Sequence, residues 1–241
     1  MVKVESNGGR LGNQMFAYAF GRLLAEHLGY ALDASPVRGF PMTCRIPRGT
    51  VVAEPQVWVR DGTESLEAIA ARCAGRCARL RGYFERACHY LPHIERLREW
   101  FAPAARPHAS AQTILHIRAT DFIRFGKMLP RDYYLQALEA LGNPGDIGIC
   151  TDDPRHELVQ YFRARGAVIH HQHDLGDFAL MMGARNLVLS LSTFAWWAAF
   201  LSEANVVQPA PAAGWRSALD PAHNLTNPAW IGIPCGHICD G

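Results

Sequence analysis

Apolar residues in this chain switch repeatedly between two spacings, and the switching predicts an α/β fold. Val2 to Val4 has strand character. Gly8, Gly9 and Gly12 make a flexible loop after it. From Asn13 to His27, Phe16, Ala19, Phe20, Leu23 and Leu24 recur at helical spacing, with Asn13 as cap and Gly29 as terminator. Val51 to Val59 alternates and predicts a strand, Leu66 to Leu80 a helix, and Leu80 to Phe84 a short strand. Ala102 to Ala111, rich in Pro and Ala, reads as a linker between domains at 1–104 and 112–241.

Beyond the linker the alternation is clearer. Thr113 to Arg118 is an apolar run ending in polar residues, and Arg131 to Leu141 has helical period. Ile147 to Cys150 predicts a buried strand, followed by Thr151-Asp152-Asp153-Pro154, where Pro154 suits the first turn of a helix. Ala167 to His170 and Asn186 to Leu191 predict strands, as does Val206 to Gln208. Asp177 to Ala184 and Thr193 to Ser202 predict helices. Strands alternating with helices imply a parallel sheet covered on both faces. Three polar groups then fall at strand carboxyl ends: His116 to Arg118, Thr151 to Asp153, and Leu191 to Thr193. Open α/β sheets bind ligands outside those ends, so the three segments are expected to meet on one rim.

Composition narrows the function classes. The chain has 241 residues, 49% hydrophobic and 19% charged, which excludes a disordered protein. A formal net charge of +2 does not mark nucleic acid or an acidic membrane as the main partner. The start, MVKVESNGGR, lacks an apolar core and a cleavage site, and no apolar run reaches spanning length. A soluble, cytoplasmic protein is expected. Of seven cysteines, Cys73 and Cys77 are four apart, as are Cys235 and Cys239 with His237 between them. A split zinc site is one reading. The other, which we favour, places Cys73 and Cys77 in a helix as small apolar residues.

The rim residues carry the candidate chemistry. Arg118 offers a fixed guanidinium fork that matches phosphate oxygens, although arginine also serves in plain surface ion pairs. Ser192 and Thr193 precede a helix whose free N–H groups suit a phosphate as well as a hydroxyl cap. Trp196 and Trp197, embedded in apolar sequence, read as core. Asp152 and Asp153 read either as a metal-binding pair or as acidic residues at a helix start, one of them holding a nucleoside; the metal-free reading is preferred. Asp177 is a helix cap or an acceptor for ribose or base. The Gly8-to-Gln14 loop fits neither a dinucleotide fingerprint nor a P-loop. It is a turn, or a place where backbone approaches a diphosphate or sugar closely.

GGRLGNQMFAYAFGRLLA (8–25) closely resembles the amino-terminal signature of the α1,2-fucosyltransferases of glycosyltransferase family 11. SLSTFAWWAAFL (190–201) resembles that family's Ser-Thr-Phe-Ser-Trp-Trp motif, and HIRATD (116–121) its His-x-Arg-Arg-Gly-Asp motif. TDDP (151–154), RGYFE (81–85) and the Pro-x-x-Tyr-Tyr pattern from Pro130 to Tyr134 fit the same order. The resemblance implies two Rossmann-like halves in a GT-B-like architecture, the second binding GDP-fucose. It implies inverting transfer of L-fucose to a hydroxyl of a carbohydrate or glycoconjugate acceptor, with no cofactor and no essential metal. A lipid-linked acceptor would bring the chain to the inner face of the membrane. Another GDP-sugar in natural-product or glycolipid decoration is the alternative, as is a non-catalytic sugar-nucleotide-binding protein.

Carried over, Arg118 holds the diphosphate, His116 and Asp177 help hold the nucleoside, and Ser192 or Thr193 caps the phosphates. Apart from that carry-over, Asp152 joins the donor set, as do Arg10, Gly12 and Asn13 from the glycine loop, and the candidate base is Asp121 or an aspartate or glutamate of the first half. Two positions depart from the motif: Ala119 stands for its second arginine and Thr120 for its glycine, where related α1,6-fucosyltransferases tolerate threonine. Arg10 and Arg124 are the candidates to replace the missing charge.

Overall fold

A computed structural model describes residues 1–5, 8–45, 48–103, 110, 112–170, 173–210 and 224–235. The chain divides into two compact units, Met1–Ala104 with Asp220–Leu225, and Ala105–Leu219 with Thr226–Gly241. Most of the expected linker, and Cys239 and His237 of the zinc reading, lie outside the described residues.

In the first unit, β1 (Val2–Val4), β2 (Leu32–Asp33), β3 (Gln56–Arg60) and β4 (Cys77–Arg81) form a parallel sheet in the order β2-β1-β4-β3. Helix α1 (Leu11–Leu28) packs on β1 with most of its circumference buried. Gly21 permits that approach: a Cβ there would lie 2.4 Å from Val4 Cγ2. α1 begins two residues before the expected Asn13, because Arg10 occupies the cap position without a side-chain bond and Asn13 falls inside the first turn. It ends at Gly29, as its sequence predicts. Helices α2 (Leu66–Cys73) and α3 (Ile94–Trp100) complete the unit.

Two boundaries differ from expectation. β3 begins only after Pro55, whose missing N–H cannot join a ladder, and Val51 stays 67% exposed. α2 stops at Cys73, Gly75 turns the chain at φ +70°, and Cys77 to Leu80 enter the sheet between β1 and β3. Cys73 is therefore the end of a helix and Cys77 the start of a strand, both buried.

In the second unit, β5 (Thr113–Ile117), β6 (Ile147–Thr151), β7 (Val168–His170), β8 (Asn186–Val188), β9 (Asn205–Ala210) and β10 (Ile231–Pro234) are all parallel, in the order β10-β9-β8-β5-β6-β7. The helices are α4 (Thr120–Arg124), α5 (Arg131–Ala140), α6 (Glu157–Arg163), α7 (Asp174–Met182) and α8 (Thr193–Leu201). Both units are thus α/β with parallel sheets, the Rossmann-like pair expected. One face of the second sheet packs Leu115, Ile117, Ile149, Val188 and Val207 against Tyr133, Tyr134, Leu158 and Phe162. α8 carries apolar residues on every side and is buried, with Trp196 and Trp197 in the core.

α6 begins later than Pro154, since Asp153 Oδ1 accepts the Arg155 N–H in a local turn and His156 supplies the cap. α7 begins earlier than Asp177, with His173 as its cap. Asp177 is therefore not a cap. It lies in the first turn on the buried side, 9% exposed.

Candidate functional site

The strand order of the second sheet locates a crevice. From β5 the chain steps outward through β6 and β7, then returns to add β8, β9 and β10 on the other side of β5. β5 and β8 are the pair where direction reverses, and ligands of open α/β sheets bind beyond the carboxyl ends of such a pair. Two expected segments leave the sheet there: His116-Ile117-Arg118 from β5, and Ser190-Leu191-Ser192-Thr193 after β8. His116 Nδ1 and Ser190 Oγ share a hydrogen bond of 2.8 Å across the gap. His116 is 5% exposed, and burial lowers its pKa to about 4 against the opposing pull of Asp152, so the ring is neutral at pH 7.

Arg118 lies at the centre of a carboxylate network. Its Nε and Nη2 donate to the two oxygens of Asp121 at 2.9 and 3.0 Å, and Nε lies 3.0 Å from Asp152 Oδ2. Asp152 also accepts the Ala119 N–H at 2.8 Å and the Thr120 hydroxyl. One side chain from the end of β6 thereby fastens the turn at which β5 becomes α4. The Arg118 hydrogen bonds hold the Asp121 carboxyl below the usual carboxylate range. That direction weakens Asp121 as a general base and suits an ion-pair partner.

Ala119 sits at the cap of α4 in helical conformation and is fully buried. The chain does turn at this position, and the residue points into packed protein. An arginine there would have to displace its packed surroundings. Arg124 is exposed on the last turn of α4.

The residues expected to cap phosphates lie at the start of α8. Ser192 is the cap residue, 8% exposed, and its side chain makes no capping bond. Thr193 opens the helix. Phe194 stands 6.1 Å from the His116 ring and 5.4 Å from Phe178, next to Asp177. Asp177 acts electrostatically on Cys150 of β6, whose buried thiol is pushed above its ordinary pKa. The second unit thus gathers Arg118, Asp121 and Asp152 by direct contact, while His116 bonds Ser190 and lies beside Phe194, the second residue of α8.

Arg10, Gly12 and Asn13 belong to the first unit. There a cleft of about 190 Å³ opens beside the ends of β1, β2 and β4, lined by residues that include Asn13, Gln14, Ser35 and Tyr83. Gln14 Nε2 donates to the Gly9 carbonyl at 2.8 Å and ties the glycine loop to α1. A Cβ on Gly9 would lie 2.6 Å from Asn13 Cβ and 3.0 Å from Tyr83 Cε1, so this wall of the cleft requires glycine. Gly12 is buried in α1, and Arg10 is exposed; neither lines the cleft.

Sequence reasoning missed Ser190, Thr120, Ser35 and Tyr83. Ser190 had a signal, being the first polar residue after the apolar run of β8. Tyr83 had one in the RGYFE motif, whereas Ser35 had none, because only the fold brings its loop beside the glycine loop. Among the described residues no cluster of three His, Cys, Asp or Glu is placed to hold a metal ion. No described helix is long and apolar enough to cross a membrane.

Residues 162–234 match the profile of glycosyl transferase family 11. The resemblance read from the motifs is borne out, and the matched segment contains Asp177, Ser192 and Thr193. None of the curated proteins matches the chain. Among solved structures, the E. coli heptosyltransferase WaaC with ADP is similar over 97% of this chain and 92% of that one, with 13% sequence identity and a TM-score of 0.48. The family 11 segment supports a glycosyltransferase.

Proposed function

We propose that this chain is an inverting, GT-B-like transferase that moves L-fucose from GDP-fucose to a hydroxyl of an acceptor glycan in α1,2 linkage. The observation that supports it is the crevice between β5 and β8, where His116 bonds Ser190 across the gap, Arg118 follows β5, and α8 starts after β8 inside the family 11 segment. The second unit is assigned the nucleotide sugar, and the cleft of the first unit the acceptor sugar. An acceptor hydroxyl oxygen forms its bond to the anomeric carbon as the bond from that carbon to the β-phosphate oxygen breaks, and the hydroxyl proton leaves to water. Negative charge builds on the leaving diphosphate.

Arg118 meets that charge. Asp121 holds the Nε and Nη2 edge of the guanidinium, which orients the Nη1 side toward an incoming phosphate. The start of α8 supplies backbone N–H groups and the positive end of a helix dipole. Neutral His116 and buried Asp177 are the polar partners for the nucleoside. Asp152 acts indirectly, by holding the turn from β5 to α4. This assignment needs no metal.

The test is a thermal-shift screen of GDP, UDP, CDP and ADP, followed by a transfer assay with GDP-fucose and GDP-mannose, with and without EDTA. GDP is expected to raise the melting temperature, UDP much less, and EDTA to leave transfer intact. Equal stabilisation by UDP removes the guanine assignment. Transfer of mannose in preference to fucose changes the sugar. Loss of transfer on chelation, restored by magnesium, reverses the metal-free assignment.

A further inference from the structure

We infer that Tyr133 and Tyr134 are positioning residues that set the geometry of the crevice between β5 and β8; the inference rests on the nucleotide site proposed there. β5 and β8 pair from Thr113–Asn186 to Leu115–Val188, and their pairing ends at that point. β5 continues beside β6 to Ile117–Thr151. Past Leu115, the two strands that frame the crevice therefore lose the ladder that would hold them together. Backbone carbonyls at such a divergence need other donors, because a buried unpaired carbonyl costs free energy.

α5 supplies those donors. The Tyr134 hydroxyl donates to the His116 carbonyl at 3.1 Å, and the Tyr133 hydroxyl donates to the Leu189 carbonyl at 2.7 Å. Each tyrosine is 1% exposed, and their rings meet edge to face at 5.0 Å. Burial pushes both phenols upward in pKa, so both remain protonated donors. His116 lies two residues before Arg118, and Leu189 three before Ser192. Adjacent residues of one helix thus grip the two segments that carry the proposed phosphate contacts. The His116 to Ser190 bond spans the same gap from the opposite face of the sheet, since Leu115 and Ile117 face the tyrosines. The Tyr-Tyr pattern is explained by this geometry: one hydroxyl for each side of the crevice.

The test uses Tyr133→Phe, Tyr134→Phe and the double variant, with Tyr161→Phe as control. Tyr161 packs on Phe162 and on the Arg165 guanidinium, whereas the donors to the two carbonyls are Tyr134 and Tyr133. In the unliganded full chain, amide hydrogen exchange at residues 116–119 and 189–193 is expected to quicken about tenfold in the variants, with exchange in α1 unchanged. At a temperature where all variants stay folded, GDP affinity and kcat are expected to fall about tenfold, more for the double variant. A lower melting temperature with rim exchange, kcat and GDP affinity all at wild-type values overturns the inference. Wild-type protein that binds no GDP overturns the nucleotide reading instead, and the exchange measurement still decides the role of the tyrosines.

Discussion

The rim beside β1 and the rim beside β5 arise from the same topological step. In each sheet a first strand has a neighbour on either side, and a loop leads from it to a helix. The contents of the two rims differ. The first holds a cleft shaped by Gly9, Asn13, Ser35 and Tyr83, and its lining carboxylate Glu5 is already paired with Arg79 at 2.6 Å. The second holds Arg118 between two carboxylates at the end of β5, with α8 starting beyond the neighbouring β8. Equivalent backbone therefore presents neutral hydrogen-bonding surface in one unit and oriented charge in the other. Topology decides where a ligand sits, and the side chains on the rim decide which ligand.

The sharpest way to break this contrast is Arg118→Lys. Lysine keeps the charge but cannot grip Asp121 with one edge and a phosphate with the other. Turnover is expected to fall by roughly 10²–10³, about 3–4 kcal/mol of transition-state stabilisation, with a smaller change in the acceptor KM. Near-wild-type steady-state kinetics would make Arg118 structural.

Acid should strike both units through one buried histidine each. Burial lowers His116 to about 4, and burial aided by Arg86 does the same to His89. The unfolded chain protonates near 6.5, so between those values it binds more protons than the folded one. Each histidine's contribution is therefore complete above about pH 6.5 and is lost as pH falls toward 4, about 3 kcal/mol per site. Urea titrations from pH 7 to 4 measure this, and a midpoint flat over that range would contradict neutral burial. His89→Phe should flatten the first unit's response alone.

Ala119→Arg comes next in size. The position is fully buried, so restoring the arginine of the motif is expected to overpack the β5–α4 turn and cost about 1–3 kcal/mol. A variant of unchanged stability with tighter GDP binding would show that the turn can open to admit the charge.

Gly9→Ala is the mildest and tests the first rim. The added methyl crowds Asn13 and Tyr83, so acceptor KM should rise about tenfold or less while GDP affinity stays constant. A fall in GDP affinity instead would move the glycine loop to the donor side, as the sequence expectation for Arg10, Gly12 and Asn13 had it.

Much of this protein was legible in its sequence because local rules govern it. Strand and helix periods marked β1, β5, β6 and α8, and Gly29 marked the end of α1. The position of His116, Arg118 and Ser192 at strand ends followed from the same periods. Other features depended on contacts between distant segments. Cys77 to Leu80 has the composition of a helix continuing from α2, yet it lies between β1 and β3, because a central strand buries both faces. Asp152 looked available to a nucleoside, yet the N–H of Ala119 and the hydroxyl of Thr120, more than thirty residues earlier, take its oxygens. Ala119 read as a missing charge, and only packing revealed that the position is fully buried. Sequence by itself determined which residues reach the rim, since that depends on period and on where strands stop. Tertiary structure decided what those residues touch, since hydrogen bonds and burial are settled by neighbours that no local pattern names.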